Sequence, residues 1–450
     1  MSRFSVPLRP QRLVAALTLA LALPATHASA AASTQGPPPR PRAINVANCN
    51  DSGAGSLRAA IASVTPASHV IDLSGLACSK ITLTTGALVT TAIDLTLLGP
   101  ADHHLTIDGG YSAQPHHYNN AINHFGGGTL ELDDLIVADA KYQGTGGQGG
   151  CIWSAGNVIL LRSQVNNCSI VNASDSGNAM GAGIFATGDV TLRDSRITGN
   201  LAASENAMAF GGGLYVKGSL LVFNSTIADN IASGGLASEG GGIIALDGIG
   251  MLMSTVSGNS ATFGGGLFVD NTTAVATDSV ISTSTISGNQ SESAGSALFA
   301  RISTSLYSDT IAFNTSTGSL VGAVYLEGTP HIESTIIVAN TANGTDFDLD
   351  APENTTSTGD HNMLQAFAHI LMPPGSVAGG TAADLYPLAD NGGLTRTHAL
   401  RAGSYAIDHG GAPTTGFDQR GRGFLRPRGG ALDIGAFEVD SDIIFVNGFN

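Results

Sequence analysis

The sequence predicts an all-β chain wound as a solenoid, a parallel β-helix with a short capping helix at its start, and three observations lead there. The first is a phrase that recurs from Gly149 to Asn340. Its front reads GGCIWS, GAGIFA, GGGLYV, GGGIIA, GGGLFV, SALFAR and GAVYLE, and its back reads SRITGN, STIADN, STVSGN, STISGN, DTIAFN and STIIVAN. The first aliphatics are Ile152, Ile184, Leu214, Ile243, Leu267, Leu298 and Val324, so each step is 24 to 32 residues, one solenoid turn. Such self-similarity marks stacked units that cannot bury an apolar face alone. The second observation is composition: 59 Gly in 450 residues and 12% charged residues, against roughly 7% and 25% in ordinary chains. The 42% hydrophobic content still suffices for a long narrow core. The third is alternation with a period of two, in Val158 with Leu160, Val190 with Leu192, Leu220 with Val222 and Ile249 with Met251, which places alternate side chains inside.

Taken in order, residues 1–30 have the anatomy of a signal peptide: Arg3, Arg9 and Arg12, an apolar run from Leu13 to Leu23, then Ala28-Ser29-Ala30. The run is too short to span a bilayer. Residues 31–43 form a Pro-rich linker, and the β-helix is expected over 44–382. At its start Leu57, Ala60, Ile61 and Val64 fall at helical spacing behind Ser56, a capping helix over the open end. ITLTTGALV, AIDLTLLGP and LTIDGG read as the first strands. In the repeats, Val165, Ile197, Ile227, Val256, Ile286, Ile311 and Ile336 are expected to form a third wall. Asn200, Asn230, Asn259, Asn289, Asn314 and Asn340 line up behind it. Asn tolerates left-handed backbone, and its amides can form a ladder from coil to coil. Residues 383–438 read as terminal coils and 439–450 as an appended tail.

The formal charge is −16, and loss of the three leader arginines leaves 16 basic against 35 acidic residues, or −19. That balance argues against nucleic acid and anionic membranes as partners. Cys49 with Cys78 and Cys151 with Cys168 form two local pairs, which suggests two disulfides in an exported chain. The Cys-x-x-Cys spacing of a metal site is absent.

Catalytic constellations are scarce. Asp133 and Asp134 are adjacent, so on a strand they point to opposite faces, and Asp108 stands alone. His103, His104, His116, His117 and His124 sit in turns without metal-ligand spacing. Asp346, Asp348 and Asp350 alternate so as to share one strand face. They could hold Ca²⁺, although an exposed acidic strand is the plainer reading; no other cofactor is called for. His398, Asp408, Asp418, Arg420 and Asp433 cluster near the C-terminus, where polar turns explain them.

The GGGI/L-aromatic repeats resemble those of polymorphic outer-membrane proteins and of bacterial exported right-handed parallel β-helix proteins, with NCNDSGAGSLRAAI and LTIDGG similar to their front. PLADNGGLTRTHAL, AIDHG, DQRGRGFLRP and DIGAFE resemble the choice-of-anchor Q domain. The resemblance covers most of the mature chain. It implies a right-handed, pectin-lyase-like β-helix, exported to the surface or released, and carries no established catalytic residues. The function expected is non-enzymatic adhesion or interaction with a carbohydrate or a surface protein. A polysaccharide lyase or glycoside hydrolase and a structural spacer are the alternatives.

One row of residues is singled out as a binding face. After each first aliphatic stand Trp153, Phe185, Tyr215, Ile244, Phe268, Phe299 and Tyr325, six of them aromatic in a chain that is 6% aromatic. Apolar rows flank this one on both sides, so it is expected to turn outward as an exposed stripe. An inward stacked ladder is the alternative.

Overall fold

The computed structural model describes residues 43–440 apart from 112–119, 145, 173–176, 272–278, 319–320, 374, 380–383 and 412–414. The expected signal peptide, the linker up to Arg42, the tail from residue 441, and His116 and His117 lie outside the described residues.

Each repeat winds once around a common axis. One coil runs through Ile184–Ala186, Val190–Arg193, Arg196–Thr198 and Leu201–Ser204, and the next begins at Leu214–Val216. Corresponding strands pair in parallel, so Ile152, Ile184, Leu214, Ile243, Leu267, Leu298 and Val324 stand one above another. The result is a right-handed parallel β-helix with four long walls. They are numbered from the Val190–Arg193 strand (wall 1), through Arg196–Thr198 (wall 2) and Leu201–Ser204 (wall 3), to Ile184–Ala186 (wall 4). The alternating residues Val158/Leu160, Val190/Leu192, Leu220/Val222 and Ile249/Met251 all lie in the core, at 1% exposure or less.

Two expectations about the walls are corrected. Wall 3 was not anticipated, because its buried residues Ile170, Ala202, Ala232 and Ala261 form a small cluster of their own with Ala179 and Ala209, apart from the main core, and are mostly too small to give a hydrophobic signal. The register also pairs Ile311 with Ile337 rather than Ile336, so Ile337 faces the core and Ile336 faces out.

Helix α1, Leu57–Ala62, closes the first coil, with Leu57, Ala60 and Ile61 buried. The Ser56 hydroxyl accepts from the Ala59 N–H at 3.2 Å, the capping bond that the sequence suggested. Both disulfides pair as expected, Cys49 with Cys78 and Cys151 with Cys168.

The asparagine row forms a ladder inside the turn between walls 2 and 3. Each side-chain N–H donates to the next asparagine's carbonyl oxygen, from Asn200 to Asn230 at 2.8 Å and onward to Asn340 at 2.8–2.9 Å per step. The same oxygen accepts the backbone N–H of the preceding asparagine, and the amide also reaches a carbonyl such as Ile227 O. Cys168 stands at the first position, its N–H donating to Asn200, and the Asp348 carboxylate ends the row by accepting from Asn340. The left-handed backbone falls on the residue before each asparagine, among them Gly199, Asp229 and Ala339 at φ 57–67°. That placement corrects the expectation, and it turns the amide inward.

A second ladder, absent from the sequence expectations, fills the turn between walls 1 and 2. Backbone N–H groups of Ser163, Ser195, Ser225 and Ser254 donate to the hydroxyl one coil on, and Ser284 donates to Asp309. The preceding residues, from Arg162 to His361, take φ of 46–55°.

The C-terminal segment departs from its expected role. Among its described residues, 384–440 carry no regular strand, only antiparallel bridges such as Leu385 with Leu400 and Gly410 with Leu432. It adds no further coils and folds back along the outside of wall 2. Leu385, Leu400, Ala406 and Ile434 pack on the outward Ala312, Ile336 and Val338. The buried Gln419 amide donates to Thr255 Oγ1 at 2.8 Å and its carbonyl accepts from Thr285 Oγ1 at 2.6 Å. The physical reason is the apolar outer face of the late coils, which water would otherwise meet.

The asparagine ladder yields a test. Asn259→Ala leaves the Asn230 backbone N–H and the Ile227 carbonyl without the Asn259 amide in a dry interior, while the Asn230 side chain and the Asn289 oxygen each lose one of their bonds. At ~1–3 kcal/mol for each unsatisfied group, the expected loss is about 3 kcal/mol or more. Urea unfolding measures it against the exposed control Ser233→Ala, expected within about 0.5 kcal/mol of the parent.

Candidate functional site

A groove of about 610 Å³ lies where the C-terminal segment meets wall 2. Arg196, Thr198, Thr226 and Asp229 line it from the coils, and Asp390 and Arg396 from the segment. Strand geometry turns Arg196, Thr198 and Thr226 outward, because Ile197 and Ile227 between them face the core. Asp229 stands exposed at the left-handed turn position before Asn230, and its N–H donates to Ser257 O. Across the groove, Thr395 Oγ1 donates to Met253 O at 3.1 Å. The Arg396 carbonyl accepts from Thr255 Oγ1 at 2.7 Å and from Gln419 at 3.1 Å. The Arg396 backbone is thereby pinned while its side chain is exposed. Asp390 accepts from the Gly392 N–H in the same turn.

The two arginines differ from most others in this acidic chain. Arg58, Arg162, Arg301, Arg420, Arg426 and Arg428 each hold a carboxylate at 2.6–3.3 Å. Among the described residues, Arg196 and Arg396 make no ion pair, although Asp229 and Asp390 line the same groove. Nothing local in the sequence signals this site, since the residues of its two banks lie 100–200 positions apart.

The aromatic row points outward: the flanking Ile184 and Ala186, or Leu267 and Val269, belong to the core, whereas Phe185 and Phe268 do not. Rings stack along the axis, with centroids 5.3 Å apart for Phe185 with Tyr215 and for Phe268 with Phe299, and 4.8 Å for Phe299 with Tyr325. The expectation of an open stripe is corrected, however. Phe185, Ile244 and Phe268 are 1% exposed, and Trp153, Tyr215, Phe299 and Tyr325 are half-buried. The chain itself covers the row. Phe210 and Phe263 meet Tyr215 and Phe299 edge-on, Lys217 lies over Phe185, and Arg301 lies over Phe268 and Phe299. The repeated glycine makes this possible: at Gly264 and Gly295, both near φ 60°, an added Cβ would come within 2.9 Å of the Cβ of Phe268 or Phe299. Among the described residues Phe125, 52% exposed and tilted against the Trp153 ring at 4.9 Å, continues the row into solvent.

The other sequence candidates are held in structural bonds. Asp346, Asp348 and Asp350 do not share a face. Asp346 is exposed in an antiparallel pair with Thr341 and bonds Gln365, Asp348 is buried at the end of the asparagine ladder, and Asp350 holds His369 at 2.9 Å. Among the described residues no three His, Cys, Asp or Glu side chains gather as metal ligands. Asp134 leaves the strand at φ 55°, so Arg162 binds both Asp133 and Asp134, a correction to the opposite-face expectation. Asp108 is buried against Lys80 at 2.8 Å. His103 contacts Asp102, and His104 is exposed. His124 is buried, with Nε2 donating to the carbonyls of Ala92 and Ile93 and Nδ1 facing Ser154 Oγ at 2.9 Å; burial pushes its pKa down.

In the C-terminal segment, Arg420 clamps Asp418, and the Asp433 carboxylate accepts from the Asp408 and Val439 N–H groups. His398 bridges Tyr386 O and Ser287 Oγ. Glu438 lies buried beside Arg426, and burial pushes its pKa up to about 7. Asp309, missed in the sequence, accepts the N–H groups of Ser284 and Tyr307 within the serine ladder, and its burial drives its pKa well above the usual carboxylate range. These groups join coils and segment to one another.

No protein-family model matches the chain, and no curated protein does. Among solved structures, the crystal structure of the pectate lyase Pel9A is similar, with a TM-score of 0.40 and 12% identity over 88% of this chain and 96% of that one. Among the described residues, no helix is long and apolar enough to cross a membrane.

The covered row makes a graded prediction. Phe268→Ala is expected to cost roughly 3–5 kcal/mol, as for a core phenylalanine. Tyr325→Ala, half-buried near the last coil, is expected to cost about 1 kcal/mol. Chemical denaturation of the two variants checks the difference.

Proposed function

We propose that the protein is exported, is displayed at or released from a bacterial surface, and acts there without catalysis by adhering to a carbohydrate or a surface protein. Two disulfides suit an oxidising compartment, and the C-terminal phrases suit a surface protein of the choice-of-anchor Q kind. The observation that carries the adhesive reading is the groove on wall 2. It is open and polar, and it is framed by guanidinium and hydroxyl groups that recognise a ligand without needing tuned protonation. The enzymatic alternative finds support in the same place, since arginine beside carboxylates is the equipment of a uronate-cleaving site. A structural spacer would make no use of these groups.

The mature chain is expected to begin at Ala31 and to contain no alkylatable thiol, as mass spectrometry of the secreted protein would show. On a glycan array and on whole cells, with and without Ca²⁺, it is expected to bind at least one surface component. It is expected to release no unsaturated or reducing ends from polyuronates. Turnover abolished by Asp229→Asn or Asp390→Asn would establish the enzyme instead, and the absence of any ligand would favour the spacer.

A further inference from the structure

We propose that the groove over wall 2 binds a glycan chain carrying an isolated acidic group among neutral sugars, with Arg196 and Arg396 holding the acid. This rests on the adhesive reading above and gives it a site and a ligand class.

The two guanidiniums come from opposite banks, one from the coils and one from the docked segment, and neither is neutralised by a carboxylate of the described chain. In a molecule of net charge −16, where most other arginines are paired, two unpaired cations lining one groove mark the place of an outside anion. The same groove limits how much negative charge it accepts. Asp229 and Asp390 line it as well, and the whole-molecule field repels polyanions. A ligand with acid at every unit meets those carboxylates. A ligand with a single acid among neutral units offers them hydroxyl donors, which carboxylates accept.

The floor decides between a glycan and a peptide. It is the face of a parallel sheet whose backbone groups are already paired with neighbouring coils, so no free strand edge is offered to an extended peptide. Thr198, Thr226 and Ser257 carry outward, partly exposed hydroxyls on three successive coils, about 4.8 Å apart along the axis. An extended peptide places side chains on one face every ~6.7 Å and falls out of step with that spacing. A chain of pyranose rings, each close to one coil in length, keeps in step and presents hydroxyls to these three side chains. The volume of about 610 Å³ admits a short stretch of such a chain.

The test is calorimetric titration of the mature full-length protein with three probes: an oligosaccharide bearing one glucuronate among neutral hexoses, a neutral cello-oligosaccharide, and an oligogalacturonate. The first is expected to bind at least tenfold tighter than either of the others. Arg196→Ala and Arg396→Ala are each expected to weaken it tenfold or more with melting unchanged, since both side chains are exposed. Asp229→Asn with Asp390→Asn is expected to narrow the gap to oligogalacturonate. Equal binding of the neutral probe, affinity indifferent to both arginine substitutions, or no binding of any probe overturns the proposal. In the last case adhesion to cells or to a surface protein leaves the broader reading standing. Unsaturated products from oligogalacturonate sink that broader reading, while the binding preference is still judged on its own numbers.

Discussion

A buried amide is stable only when its donors and acceptors all find partners, and every coil from Asn200 to Asn340 places one inside the solenoid. The partners exist only if the next coil stacks directly above, in register, with its own asparagine at the same point. The ladder therefore enforces the register that the apolar rows alone leave loose, since a slip by two residues still puts an aliphatic inward. Its ends show the same constraint. Cys168, fixed by a disulfide, supplies the first donor, and Asp348 replaces an asparagine where there is no further amide to pass the bond to. Asp348 offers acceptors only, and its second oxygen takes the Gln365 and Ala366 N–H groups.

With the inside so fixed, variation is confined to the outer faces, and wall 2 shows what it is used for. Along one outward row the residues run Arg196, Thr226, Thr255, Thr285, Thr310 and Ile336; along the other, Thr198, Ala228, Ser257, Ser287, Ala312 and Val338. The wall thus grades from polar to apolar toward the C-terminus. The segment docks where the apolar end needs cover, and through Gln419 and His398 it also satisfies the hydroxyls in the middle. Beyond Thr255, toward Thr226 and Arg196, the segment stops covering the wall, and the groove is what remains open.

The same physics sets what was legible in the sequence. Periodic features could be read because each repeats the same local demand: the aliphatic rows, the asparagine row, the helix over the first coil and the cysteine pairs. The alanine wall escaped because Ala202, Ala232 and Ala261 bury too little surface to stand out. The serine ladder escaped because Ser before Thr, as at Ser225, Ser254 and Ser284, looks like an ordinary turn. The direction of the aromatic row was legible and its covering was not, since Phe185 and Phe268 are buried by the return of the chain over them, a three-dimensional event enabled by glycine. Arg196 and Arg396 carry no mark at all, because their meeting depends on a segment folding back across many coils.

That last point bears on function. A strictly periodic wall offers the same groups at each step and so favours any ligand of matching repeat without fixing where along the axis it sits. Discrimination needs an aperiodic element laid against the wall, and in this chain the C-terminal segment is one. It brings a guanidinium and a carboxylate to a single place on a surface that otherwise repeats. Buried carboxyls such as Asp309 and Asp348 take ladder positions, where they accept backbone N–H groups and keep coils in step. On the binding role proposed above, selectivity belongs at the seam between repeat and non-repeat, which is where the unpaired arginines stand.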